Sequence, residues 1–199
     1  MNRFTVIAIA LFFVCFASCS DDDATVQPIP SQDSIMPFAV GNYWIFQAMN
    51  YQDGEIEYQA TDTMRVLSSI TDADGREWFD VGLKDSSGIV YYGNTGRGFE
   101  ILRDHHQLIV PYPAALGRHT LYYGGEEQGS VELVDQYEIV EVPAGKFTCY
   151  HYIYLEGLPG ESHAWYVPGV GLVKSHQIFT SEDGHKYDYI RALLEYKVQ

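Results

Sequence analysis

From Phe38 onward the chain alternates apolar and polar residues in short runs broken by turn-forming pairs. Between Lys146 and Leu155, the residues Phe147, Cys149, His151, Ile153 and Leu155 fall on one side, and Thr148, Tyr150, Tyr152 and Tyr154 on the other. A period of two is that of a β-strand, whose successive side chains point to opposite faces. Both sides carry apolar area, which suits a sheet with one face in the core and the other lining a cleft or packing under a loop. The pairs Asp53-Gly54, Asp74-Gly75, Ser87-Gly88 and Asp183-Gly184 separate such runs and predict hairpin turns. Pro143-Ala144-Gly145 and Gly157-Leu158-Pro159-Gly160 predict two more. Connections this short join antiparallel neighbours, because a parallel pair needs a crossover. The segment Tyr187 to Val198 alternates at Ile190, Ala192, Leu194, Tyr196 and Val198 and reads as a strand, although Arg191 to Glu195 has helix-favouring composition. The fold class predicted is a single all-β domain, a strongly twisted antiparallel sheet whose meander is bent into a barrel or half-barrel.

The first residues carry another pattern. An apolar run, Phe4 to Ala17, follows the single charge Arg3 and ends at Ala17-Ser18-Cys19. It is shorter than the roughly 18 to 20 residues of a spanning helix, so residues 1–18 read as a cleaved signal peptide. The small residues before Cys19 make this segment resemble the lipobox of bacterial lipoproteins. That resemblance implies that Cys19 becomes the acylated N-terminus and that two or more acyl chains hold the protein on a membrane. Ser20-Asp21-Asp22-Asp23 resembles the export signal of lipoproteins of the Bacteroidota type, which implies the outer membrane and its cell-surface side; the alternative address is the periplasmic face. Residues 19–37 read as a tether, polar from Asp21 and carrying Pro28, Pro30 and Pro37. As a flexible coil it holds the domain, residues 38–199, roughly 20 to 25 Å from its lipid.

Charge narrows the partners. The net charge is −15, and −16 once residues 1–18, which contain Arg3 and no acid, are removed. This balance opposes binding to nucleic acid and docking on anionic lipid through a basic patch. With Cys15 lost in the signal and Cys19 acylated, Cys149 has no cysteine partner within the chain. The domain therefore depends on its core, and ~160 residues suffice to bury about 70% of the unfolded surface.

Three signposts frame the domain: Phe38-Ala39-Val40-Gly41-Asn42-Tyr43-Trp44, Val142-Pro143-Ala144-Gly145-Lys146-Phe147, and Trp165-Tyr166-Val167-Pro168-Gly169-Val170-Gly171-Leu172-Val173-Lys174. In kind and order they resemble a broad set of uncharacterised β-rich bacterial lipoproteins. The resemblance implies an extracytoplasmic β-domain, distantly similar to the half-barrels of lipoprotein-localisation factors, and no activity. Each signpost also has a structural role: Trp44 fills core volume, and the glycines around Pro168 turn the chain. No phosphate loop is read there, because no helix follows to offer its N-terminus.

Candidate chemistry is sparse. His105, His106, His119, His151, His163, His176 and His185 lack the short paired spacing of a zinc motif. A hairpin centred on Leu158-Pro159 sets His163 opposite Tyr154 and His151 opposite Tyr166, on different faces, and a slip of one residue reverses this. Asp72-Ala73-Asp74-Gly75-Arg76-Glu77 is a faint calcium loop whose position twelve is Leu83, so a hairpin turn explains it better. The sequence contains no Gly-x-Ser-x-Gly elbow, Cys149 alternates with core positions, and no metal or cofactor is assigned. Glu156 and Glu161 flank a turn near His163 and define a hydrolase alternative. The strongest signal is aromatic. Tyrosine joins an apolar ring to a polar tip, suited to stacking on sugars or gripping an amphipathic ligand. Tyr150, Tyr152 and Tyr154, with Tyr166 and His163 beside them, are the candidate ligand-binding residues. The sequence reading is thus a non-enzymatic surface lipoprotein that binds a glycan or amphipathic ligand, with a lipid or lipoprotein carrier as the alternative.

Overall fold

A computed structural model describes residues 33–85, 88–154 and 161–199. The signal segment, Cys19, Ser20 to Asp23, most of the tether, Ser87, Glu156 and the Gly157 to Gly160 turn lie outside the described residues, and Glu161 is described as backbone only.

The described residues form thirteen strands and no helix. They are β1 (Tyr43–Gln52), β2 (Glu55–Arg65), β3 (Ser68–Thr71), β4 (Glu77–Asp85), β5 (Gly88–Thr95), β6 (Gly98–Leu102) and β7 (His106–Pro111). They continue with β8 (Gly117–Tyr123), β9 (Glu126–Val142), β10 (Gly145–Tyr154), β11 (Glu161–Val167), β12 (Gly171–Thr180) and β13 (Lys186–Lys197). The segment of mixed signals, Tyr187 to Val198, is strand up to Lys197. The Asp53-Gly54 turn has φ of 51° and 89°, the paired left-handed residues that match a two-residue hairpin to the twist of its strands.

All thirteen strands belong to one antiparallel sheet in the order β2-β1-β13-β12-β11-β10-β9-β8-β7-β6-β5-β4-β3. Its two edges, β2 and β3, are consecutive in the chain and separated only by Val66-Leu67. Three peptide steps span at most roughly 11 Å. The sheet must therefore curl until its edges meet. At the corner Val66 N donates to Asn42 O (2.9 Å), Leu67 N to Asp80 O (2.8 Å) and Gly41 N to Val66 O (3.0 Å). No ladder crosses from β2 to β3, so the curl stops short of a closed barrel. A second weak junction lies between β7 and β8, which share the single pair Gln107↔Tyr123.

The core fills the inside of the curl with Trp44, Phe46, Val110, Leu133, Tyr152, Val173 and Leu193. It also takes in Ile35 and Met36, at 0% and 2% exposure, although the sequence places both in the tether. The packed domain thus begins upstream of Phe38. Along β10 the buried positions change sides: Phe147 and Cys149 are buried near its start, Tyr152 further on. Register shifts opposite His151, between β10 and β9, accompany the change. Bulges of this kind increase local twist and turn a strand about its axis relative to the core.

Candidate functional site

The pairing of β10 with β11 differs by one residue from the turn-centred expectation. His163 lies opposite Ile153, Tyr154 opposite Ser162, and His151 opposite Trp165. The observed register sets Ala164 opposite Tyr152, both buried, whereas the expected one sets Trp165 there. A small residue facing a large one fills a core layer without overpacking, and this outweighs the symmetry of the turn. Directly opposed residues share a face. His151 and His163 therefore share one, contrary to the expectation, and His151 Nε2 is 2.8 Å from His163 Nδ1. Glu138 Oε2 lies 2.6 Å from His151 Nδ1, and both imidazoles stack along Trp165. Burial holds His151 below the ordinary histidine range, opposed by the Glu138 carboxylate. His176, paired with His163 across β12, has its Nε2 3.1 Å from Asp188 Oδ1. Among the described residues no group of three or more potential ligands is placed to hold a metal ion.

The tyrosines are divided between core and cavity. Tyr152 is fully buried and its hydroxyl donates to Pro111 O at 2.8 Å. Tyr150 packs edge-on against Tyr112, with ring centroids 5.7 Å apart. Tyr154, Tyr166 and His163 line a cavity of about 390 Å³ inside the curl. The cavity opens beside the weak junction: Gln107 and Ile109 come from β7, Leu121 and Tyr122 from β8, Gln128 from β9. Ser162 and Ala164 from β11, Leu172 and Ser175 from β12 and Arg191 from β13 complete the wall. Tyr154 donates to Ile109 O at 3.3 Å and so bridges the junction. Burial raises its hydroxyl well above the ordinary tyrosine range and pushes that of Tyr166 to about 12. Both are neutral phenols at any physiological pH.

Arg191 is the cation of this cavity. Its Nη2 is 2.7 Å from Asp62 Oδ2, and its guanidinium lies 4.4 Å over the Phe46 ring. Its Nε is buried without a hydrogen-bond partner. The sequence signalled neither Arg191 nor the glutamines and serines around it, because they come from separate strands and meet only in the curl. What did point to this region was the run of tyrosines on β10.

The other sequence candidates have structural occupations. Asp72 Oδ1 accepts from the backbone N–H of Asp74 and of Arg76, both at 2.9 Å, and Oδ2 accepts from Trp78 Nε1 at 2.8 Å. Those bonds, that from Trp78 foremost, hold its carboxyl below the usual range and tie it into a hairpin turn. Cys149 is buried, which pushes its thiol up to about 12 and leaves it a poor nucleophile.

No protein-family model matches the chain, and no curated protein is significantly similar to it. Two solved structures are similar. One, a candidate lipoprotein from Parabacteroides distasonis, is 15% identical with a TM-score of 0.42, over 82% of this chain and 98% of that one. The other, a candidate exported protein with a YmcC-like fold from Bacteroides fragilis, is 16% identical with a TM-score of 0.45, over 81% and 98%.

Proposed function

We propose that this chain is a lipid-anchored protein of a bacterial outer membrane, held through Cys19, displayed at the cell surface through Ser20 to Asp23, and binding a small ligand in the Tyr154/Tyr166/Arg191 cavity. The observation that carries the binding reading is the cavity itself. It combines apolar walls with convergent polar groups, and its volume of about 390 Å³ falls in the range of small-molecule sites. The address rests on Ala17-Ser18-Cys19 and the acids that follow. The non-enzymatic reading rests on the groups at hand: two neutral phenols, an arginine already paired with Asp62, and a buried thiol held protonated.

Two measurements test this. Native mass spectrometry of the protein extracted from its own membranes should show a retained small molecule that Ser175→Phe, which fills the cavity, no longer carries at unchanged thermal stability. Each protein appearing only at the mass of its own acylated polypeptide, with no retained molecule on either, would sink the binding reading. For the address, Cys19→Ala should move the protein from the membrane to the soluble fraction. Protease added to intact cells should remove the wild-type domain; protection until the outer membrane is permeabilised would assign it to the periplasmic face.

A further inference from the structure

The proposed cavity also carries information on the chemical class of its occupant. The side chains of Gln107, Gln128, Ser162 and Ser175 in its wall make no hydrogen bond to other described residues. Arg191 Nε is a buried donor with no acceptor. An alkyl chain lying against these groups would strip them of water and return nothing, which is the costly outcome for a polar group. A hydroxyl-bearing ligand can both donate to and accept from each amide and serine, and can accept from Arg191 Nε. Tyr154 and Tyr166, with Ile109, Leu121 and Leu172, supply apolar area suited to the C–H faces of a sugar ring.

Charge selects further. The guanidinium of Arg191 is already neutralised by Asp62 at 2.7 Å. His163, the other basic residue of the wall, has its Nδ1 already engaged by His151 Nε2 at 2.8 Å. A carboxylate or phosphate would find no uncompensated cation there and would approach against a net charge of −15. Size agrees, since about 390 Å³ lies near the lower end of small-molecule sites, room for on the order of one or two sugar rings.

We infer that the cavity binds a neutral saccharide, as a free mono- or disaccharide or as the end of a glycan chain. This rests on the reading of the cavity as the binding site, and the two can fail separately. The test uses the full-length lipoprotein in a sugar-free zwitterionic detergent and saturation-transfer NMR with maltose, cellobiose and lactose, beside glucuronate and dodecanoate. Neutral disaccharides should give saturation transfer, and Arg191→Lys, which keeps a cation beside Asp62 but removes Nε, should weaken binding about tenfold. Gln107→Leu should do the same, with thermal stability confirming the fold of both variants. Dodecanoate displacing the disaccharides, or binding where none of them does, overturns the saccharide assignment and leaves a cavity that carries acyl chains. Glucuronate binding as tightly as its neutral counterparts overturns the requirement for neutrality. Silence from every saccharide overturns the inference, while the native mass spectrum still reports whether the cavity is occupied.

Discussion

At the scale of single residues, Gly171 is held by a close approach of side chains from distant parts of the chain. Its φ is +103°, and a Cβ there would come within 2.8 Å of Met36 Sδ and 3.1 Å of Trp44 Nε1. Trp44 Nε1 donates to Val170 O at 2.6 Å, so neither the ring nor the backbone can retreat without losing a buried hydrogen bond. Gly184 has a similar φ of +91° with nothing within 4 Å of the added carbon. Gly171→Ala should therefore destabilise the domain by about 2–4 kcal/mol, and Gly184→Ala by about 1 kcal/mol, in denaturant titration. Equal losses for the two would mean that the contact with Met36 and Trp44 contributes nothing. The sequence showed that the chain turns at Pro168 to Gly171. It did not show that Met36 closes over that turn, because a contact between residues so far apart leaves no periodic trace.

At the scale of elements, two hairpin turns at one end of the sheet are tied together. Asp53, at the tip of the β1–β2 turn, accepts from Lys186 N at 2.9 Å, and its other oxygen lies 2.7 Å from His185 Nδ1, just before β13. The hydrogen bond with His185, followed by that from Lys186 N, holds the Asp53 carboxyl below its ordinary value, and the same pairing raises His185 above its own. The Asp53 contribution is present above its unfolded pKa of ~3.9 and is lost as pH falls through the lower folded value. The His185 contribution is complete below ~6.5 and is lost as pH rises through the higher folded value. The gap in melting temperature between wild type and Asp53→Asn should thus be widest from about pH 4 to 6.5 and shrink on both sides. A gap independent of pH would rule the ion pair out as its source. Both groups are exposed, so the whole effect is small. Sequence patterning located this turn and those at Asp74-Gly75, Pro143 to Gly145, Pro168 to Gly171 and Asp183-Gly184, and it missed those at Gly96-Arg97 and Gly124-Gly125. It misjudged the β10–β11 register by one residue, because the pairing is settled by Ala164 facing Tyr152 in the core, outside the reach of a rule about turns.

At the scale of the molecule, the sheet is held in its curl by the Val66-Leu67 corner and by the bridge across β7 and β8. Val66 is 1% exposed and is held by backbone hydrogen bonds to Asn42 and Gly41, just before β1, while Leu67 bonds to Asp80 of β4 on the other side of the corner. Val66→Ala should cost about 1–3 kcal/mol and accelerate amide exchange in β2 and β3 ahead of the central strands β10 to β12. Uniform acceleration across the sheet would show that the corner is no more than ordinary core. The β7–β8 junction has the opposite character: a single ladder pair leaves room between the strands, and the cavity occupies that room. The same scale explains why the tyrosine signal was only partly informative. Tyr154 and Tyr166 reach the cavity, while Tyr152, on the same side of β10 as Tyr154, finds Pro111 O across the curl and becomes core.

The sequence by itself determined the β class, the turns marked by Asp-Gly and Pro-Gly pairs among the described residues, the strand reading of the last segment and the resemblance at Cys19. Each of these follows from short-range rules, since alternation, left-handed turn residues and an apolar leader are local properties of the chain. Only the tertiary structure decided the register of β10 against β11, the inclusion of Ile35 and Met36 in the core, and the assembly of Gln107, Tyr154, Ser175 and Arg191 around one cavity. The reason is that packing volume and hydrogen-bond satisfaction are set between strands far apart in the chain.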